Sequence, residues 1–184
     1  MQRIQKLFII ALFGAIIFVT NMFLPPPLNY LVIVVQAVLL ALSALFIHKG
    51  GATYVGAVGG LLTAIGSPAL GPFTFFFAFL YGVYVDLCIY LLRVNGSRVG
   101  VNTKRLIAAM AISTLLIAVS SYLSFSMAPN FFSAQGLAYV GLFIQHNSMV
   151  DALVLFMGPA SGAVAGYAVA YLWNKYLRHM SFTV

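Results

Sequence analysis

The sequence predicts an all-α, polytopic membrane protein with six transmembrane helices, and two observations carry this prediction. The 184 residues are 63% hydrophobic and only 6% charged, whereas a soluble domain has roughly 45–50% apolar and about 25% charged residues. The chain also divides into six apolar segments, with its basic residues confined to alternate connections. A soluble core of this length cannot enclose so much apolar surface, so we expect lipid to be the solvent.

The six apolar segments have lengths close to what a bilayer requires. A hydrocarbon core of ~30 Å is crossed by about 20 apolar helical residues, with a range of roughly 17–25. The third segment is short and rich in glycine, so its ends are the least defined. The segments leave no room for a soluble domain, and residues 1–184 are expected to form one transmembrane domain. The predicted spans are Leu7–Leu24, Leu28–Ile47, Gly51–Ile65, Phe73–Leu92, Leu106–Ala128 and Met149–Trp173.

The positions of the basic residues predict the orientation of these spans. The connections 24–28, 66–72 and 129–148 contain no Lys or Arg. By the positive-inside rule, both termini are therefore cytoplasmic and the three uncharged connections face outward. The nine basic residues all lie at the other ends of the spans: Arg3, Lys6, Lys49, Arg93, Arg98, Lys104, Arg105, Lys175 and Arg178.

The outward connections collect polar, aromatic, proline and glycine residues. GSPALGP (66–72) interrupts two apolar runs, and PPPLNY (25–30) ends in Asn29 and Tyr30. Each of these loops is either a plain turn or a segment that folds over an apolar cavity. The segment 129–148 is too long for a simple connection, since loops beyond about 12–15 residues are usually lids or binding elements. Within it, residues 136–144 are apolar enough to form an interfacial or re-entrant segment.

Ionisable and amide groups at membrane depth are the candidate functional residues, because burying them in lipid is expensive. For Asp86 there are two readings: a structural hydrogen bond to a neighbouring helix, or an acceptor for a cationic or amide ligand. Tyr84 and Tyr90, with Tyr81 nearby, suit stacking or cation–π contact with such a ligand. For Gln36 the sequence likewise leaves two roles: a hydrogen bond to another helix, or contact with a ligand.

A second polar group lies where the sixth span begins. Asn147 and Asp151 are four residues apart and His146 adjoins them. They are either solvated at the surface or line the mouth of a cavity. A metal site at His146 and Asp151 lacks a third ligand, so we expect no metal.

Three pairs of small residues with helical spacing predict close helix packing. They are Ala11 and Ala15, Gly56 and Gly60, and Gly162 and Gly166. Each pair lets another backbone approach one helix face, whether in this chain or in another.

The motifs of membrane enzymes and ATPases are absent. The sequence contains no GxSxG, HExxH or Walker-type loop, Glu does not occur, and Cys88 is the only cysteine. We therefore expect no enzymatic activity and no cofactor, but a small bundle that binds something from outside.

The six-helix plan, the mass of 19.9 kDa and the pair Ala11 and Ala15 resemble the substrate-binding (S) component of an energy-coupling factor (ECF) transporter. The nearest type is the one for hydroxymethylpyrimidine and thiamine precursors, which has a GNPSGP-like loop before a helix with a buried acid. Here residues 66–72 precede Asp86, which stands where that type has Glu.

The resemblance implies a cell-membrane protein of a prokaryote that binds a vitamin-like molecule, with no nucleic acid as partner. Its other partners would be the lipid bilayer, a transmembrane coupling subunit that contacts Ala11 and Ala15, and two ATPase subunits. GSPALGP would form a wall or lid of the pocket, and the first outer loop a gate. The alternative reading is a small structural subunit of a larger membrane complex, in which Asp86 and Gln36 hold helices together.

Overall fold

Every regular element in the described part of the chain is a helix. The computed structural model describes residues 3–23, 29–47, 50–66, 71–96, 100–127 and 148–177. This confirms the all-α fold, and each helix covers one predicted span. The helices are α1 (Arg3–Phe23), α2 (Asn29–Ile47), α3 (Gly51–Gly66), α4 (Gly71–Leu91), α5 (Thr103–Met127) and α6 (Ser148–Lys175).

Among the described residues, three helices are long and apolar enough to cross a membrane. These are α1, α4 and α5, through the segments Arg3–Met22, Pro72–Leu91 and Thr103–Ser124. Ile33–Ile47 in α2 and Gly51–Gly66 in α3 are apolar but shorter. Of the predicted lid 66–72, residues 67–70 lie outside the described residues, as do the predicted gate 24–28 and, except for Ser148, the predicted binding loop 129–148.

Helix α2 is the central element of the bundle. It contacts α1, α3, α4, α5 and α6, whereas the others follow one another around it in the order α1, α3, α4, α5, α6. From Ala37 to Ile47 almost every α2 side chain is buried. The sequence AVLLALSALFI has no polar face, and a helix that is apolar all round is expected in the interior.

The peripheral helices pack through small residues. A Cβ on Gly56 of α3 would lie 2.5 Å from the carbonyl oxygen of Ala78 in α4, so the two backbones are in contact. Gly162 of α6 faces the Met110 carbonyl oxygen of α5 at the same distance. Two of the three predicted small-residue pairs thus find their partner helix inside this chain.

The basic residues lie together at one end of the bundle, which we call the basic end. Antiparallel packing brings the starts of α1, α3 and α5 to the ends of α2, α4 and α6. Side-chain contacts show this: Thr53 at the start of α3 bonds to Asp86 near the end of α4, and Val101 just before α5 bonds to Asn174 at the end of α6. The ends of α2 and α6 also meet, since Phe46 packs on Trp173 with ring centroids 5.1 Å apart. The described Lys and Arg residues all lie there: Arg3, Lys6, Arg93, Lys104, Arg105 and Lys175.

The surface of the bundle is apolar on every helix. Large hydrophobic side chains such as Phe8 of α1, Ile65 of α3 and Phe156 of α6 are more than 60% exposed. A soluble protein rarely exposes contiguous apolar surface beyond a few hundred Å². The Ser and Thr hydroxyls mostly donate to carbonyl oxygens of their own helices. An apolar exterior with internally satisfied hydroxyls fits a lipid solvent.

Helix α4 ends in a left-handed residue. Arg93 has φ of 50°. Its N–H donates to the Tyr90 carbonyl (3.1 Å), and the Val94 N–H donates to the Ile89 carbonyl (3.0 Å). This pair of bonds is the Schellman motif, in which glycine is the usual residue at the left-handed position.

Candidate functional site

Asp86 of α4 caps the start of α3. Its Oδ1 accepts a hydrogen bond from the Ala52 N–H (3.2 Å), and its Oδ2 accepts bonds from the Thr53 N–H (2.8 Å) and the Thr53 hydroxyl (2.7 Å). The first N–H groups of a helix have no acceptor within the helix, and a negative charge is favoured beside them. A side chain from the neighbouring helix thus performs the role that an N-cap residue usually performs.

Close packing of α3 and α4 makes this reach possible. Gly82 lies one turn before Asp86, and a Cβ there would stand 2.5 Å from the Ala52 carbonyl oxygen. Because position 82 has no side chain, α3 and α4 lie close enough for the short side chain of Asp86 to reach the first N–H groups of α3. The structure therefore supplies the structural partner that the sequence left open for Asp86. An ionised carboxylate has about four acceptor positions, and three are used here, so a ligand role for Asp86 stays a prediction.

The other predicted residues of α4 face different directions. The Tyr84 hydroxyl is 2.9 Å from the Ser120 hydroxyl of α5, whereas Asp86 faces α3. Tyr90 is 80% exposed on the surface of the bundle. The structure does not bring Asp86, Tyr84 and Tyr90 together around one cavity.

The remaining predicted site residues lie on α2 and α6. Gln36 is half-buried, one residue before the buried stretch of α2. Asn29 and Tyr30 form the first turn of α2 and Asp151 lies in the first turn of α6, but their side chains are outside the described part. Asn147 lies entirely outside it. For these residues a binding role stays a prediction.

The pair Ala11 and Ala15 lies on the outside of the bundle. Both alanines are exposed, whereas Gly14 between them packs on Val58 of α3. The small-residue face of α1 is therefore turned away from this chain, in contrast to the glycine pairs of α3 and α6. We call the exposed surface around Ala11 and Ala15 the α1 face.

Tyr81, for which the sequence suggested only stacking or cation–π contact with a ligand, carries a buried hydroxyl group. Its side chain is 4% exposed, and its hydroxyl has no hydrogen-bond partner among the described residues. An unsatisfied buried hydroxyl is costly. The position of Tyr81 half-way along α4 does not indicate whether its hydroxyl is hydrogen-bonded, because this depends on the packing of the neighbouring helices.

A groove of about 490 Å³ opens at the basic end, between the first turn of α5 and the last turns of α6. The sequence did not predict it. Its walls are Thr103, Tyr167, Ala170, Tyr171, Asn174 and Lys175. The Lys175 ammonium donates to the Tyr171 hydroxyl (2.7 Å). It lies 5.1 Å from the centre of that ring, beyond its edge, so the contact is a hydrogen bond rather than a cation over the ring face.

Asn174 holds the segment before α5 against α6. Its Oδ1 accepts from the Val101 N–H (2.8 Å) and its Nδ2 donates to the Val101 carbonyl (3.2 Å). Trp173 packs on Gly96, where a Cβ would stand 2.6 Å from the indole ring. These contacts fix the relative position of the two helices that form the groove.

Metal and thiol chemistry has little support in the part of the chain that the structure describes. No group of three His, Cys, Asp or Glu side chains lies together there, and Cys88 is buried in the core. The chain matches none of the protein-family models compared with it, and searches of curated proteins and of solved structures found no match.

Proposed function

We propose that the chain is an integral protein of the cell membrane that crosses the bilayer six times, with both termini in the cytoplasm. The support is the basic end: antiparallel packing gathers there every described Lys and Arg of a chain with a net charge of +7. Cytoplasmic connections of membrane proteins carry such an excess of Lys and Arg. The apolar exterior on all six helices supports the same arrangement.

Within this topology, we propose that the protein is the substrate-binding S component of an ECF-type uptake transporter. The observation that carries this proposal is the α1 face. Two small-residue pairs pack inside the bundle, and the third, Ala11 and Ala15, is exposed on a membrane helix. Small residues on an exposed face let the backbone of a second helix approach closely. A transmembrane coupling subunit, itself bound to two ATPase subunits, would supply that helix.

The proposed ligand is a vitamin-like molecule, with thiamine or its pyrimidine precursor as the first candidate. Helices α2 and α6 are neighbours and end together at the basic end. Their starts, with Asn29 and Tyr30 on α2 and Asp151 on α6, therefore lie at the opposite, outward end. In the proposed topology one aromatic, one amide and one acidic residue would be available where a ligand from outside enters. Asn147 immediately precedes α6, and Asp151 would pair with a cationic ligand.

The α1 face can be tested directly. Ala11→Trp and Ala15→Trp should abolish retention of an ECF coupling module in co-purification, because the bulky ring blocks backbone approach, and should leave ligand affinity unchanged. Ala160→Trp, at an exposed alanine of α6, is the matched control and should retain the module. If both α1 variants retain the module, the α1 face is not the surface that binds the coupling subunit.

The second candidate function is a structural subunit of a larger membrane complex. The bonds of Asp86 to α3 and of Tyr84 to Ser120 favour it, since both polar groups join helices of the bundle. Under this reading the α1 face holds a permanent partner and no ligand binds. ATP-dependent uptake of thiamine into vesicles that contain the protein and a coupling module would exclude it.

A further inference from the structure

We propose that the groove between α5 and α6 binds the headgroup of an anionic phospholipid of the cytoplasmic leaflet. This inference rests on the proposed membrane topology, but not on the proposed ligand or partners. The occupant would place its phosphate beside Lys175 and Thr103 and its glycerol and upper acyl chains along Tyr167 and Ala170.

The lining of the groove has an apolar part and a polar part, which match the acyl chains and the headgroup of a phospholipid. Tyr167 and Ala170 lie deeper along α6 and present apolar surface, whereas Thr103, Asn174 and Lys175 lie at the basic end and present polar groups. Tyr167 and Tyr171 are exposed on the outside of the bundle, so the groove opens toward lipid rather than into the interior. Tyrosine is the side chain expected at the boundary between hydrocarbon and headgroups.

The charge of the groove selects an anion. The Lys175 ammonium has three N–H donors, and its hydrogen bonds to Tyr171 and Tyr176 leave one of them for an anion. The hydrogen bonds to Tyr171 and, less strongly, to Tyr176 raise the pKa of Lys175 above its ordinary value, so the ammonium stays protonated. Lys104 and Arg105 flank the groove in the first turn of α5.

No acidic side chain lines this groove in the part of the chain that the structure describes. The whole chain has only two acidic side chains. Asp86 is bonded to the start of α3, and Asp151 lies in the first turn of α6, at the opposite end of that helix from Lys175. Among the described residues the cation at the end of α6 therefore has no acidic side chain beside it, and an anionic headgroup complements it.

The groove is held in shape before any lipid arrives. Asn174 bonds to both backbone groups of Val101, which fixes the start of α5 beside the end of α6. Gly100 has φ of 123°, and a Cβ there would stand 2.7 Å from the Asn174 Oδ1. A side chain at position 100 would disrupt the hydrogen bonds between Asn174 and Val101.

Native mass spectrometry of the full-length protein in detergent tests the proposal, with equimolar phosphatidylglycerol and phosphatidylcholine as probes. The wild type should retain phosphatidylglycerol preferentially. Lys175→Met should lower that preference about fivefold, the effect of one lysine near an anionic surface. Lys6→Met is the matched control, since it removes the same charge from the basic end but away from the groove, and its preference should stay near that of the wild type.

Two results would overturn the proposal. One is an equal loss of preference in Lys175→Met and Lys6→Met, which would show diffuse charge instead of a site. The other is displacement of phosphatidylglycerol by millimolar inorganic phosphate, which would identify a site for soluble anions. Lys175 is exposed, so its variant should keep the wild-type melting temperature. The measurement needs neither a transported ligand nor a coupling module, so its failure and that of the proposed function are separate.

Discussion

Substitution of Asp86 should destabilise the bundle by detaching α4 from the start of α3. Asp86→Ala removes three hydrogen bonds and leaves the N–H groups of Ala52 and Thr53 without their acceptor. Loss of a helix N-cap costs about 0.5–2 kcal/mol, and the loss of a charge at a partly buried helix start adds up to ~2 kcal/mol. We therefore expect the free energy of unfolding to fall by about 1–4 kcal/mol.

Asp86→Asn should have a smaller effect, because it keeps one acceptor oxygen and loses the charge. The expected loss is about 1–2 kcal/mol, the upper range of the interaction between a charge and a helix end. Unfolding of the purified protein by titration with dodecyl sulfate, followed by circular dichroism, measures both variants. Asp151→Asn is the matched control, since it makes the same chemical change at the other end of the bundle, and should cost at most about 1 kcal/mol.

The pair of aspartate variants also separates structural from ligand roles. We expect Asp151→Asn to weaken binding of thiamine about tenfold or more, because a charge-assisted hydrogen bond contributes roughly 1.5–3 kcal/mol. We expect Asp86→Asn to weaken it less, because three acceptor positions of Asp86 are already bonded to α3. Wild-type stability of Asp86→Ala together with weakened thiamine binding would refute the capping argument and make Asp86 a ligand residue.

Three further substitutions test the packing of the bundle. Tyr81→Phe removes a buried hydroxyl that has no partner among the described residues and should raise the free energy of unfolding by about 1–2 kcal/mol; a decrease in stability or in ligand affinity would show that the hydroxyl has a partner. Arg93→Gly should raise it by about 1 kcal/mol, because glycine adopts the left-handed conformation without strain; destabilisation would assign the arginine side chain a role of its own. Gly162→Val should lower it by about 3 kcal/mol or more, since the new side chain would meet Thr114 and the Met110 carbonyl, whereas Ala160→Val at an exposed site should change it little; equal effects would contradict the assigned α5–α6 contact.

The helices themselves could be predicted from the sequence because their signals are local. Apolar length, and the Gly and Pro residues between the runs, place α3 at Gly51–Gly66, where the sequence predicted Gly51–Ile65. The alternation of basic and uncharged connections likewise indicated the basic end before any contact was known. The central position of α2 also has a local signal, because this helix lacks a polar face.

The direction in which each side chain points could not be predicted, since it depends on helix rotation. Asp86 and Tyr84 are two residues apart, so helix geometry puts them on opposite faces, but only the packing decides that Asp86 meets α3 and Tyr84 meets α5. Gly82 decides this by letting α3 approach on one side. The contact between Asn174 and Val101 joins residues 73 positions apart, for which no local pattern exists.

The small-residue pairs show the same limit in another form. Gly56 and Gly60 have the same spacing as Ala11 and Ala15, yet the first pair packs inside the chain and the second is exposed. The spacing predicts a close-packing face, and only the three-dimensional arrangement identifies the face that is left for a partner.

The most direct test of the proposed function is native mass spectrometry of the protein purified in mild detergent from its own membrane. The proposal predicts a non-covalent adduct of vitamin size that is retained by Asp86→Asn and reduced in Asp151→Asn. A protein that carries no small molecule, binds no added thiamine or pyrimidine precursor and instead stays bound to a larger membrane protein would contradict it and favour the structural subunit.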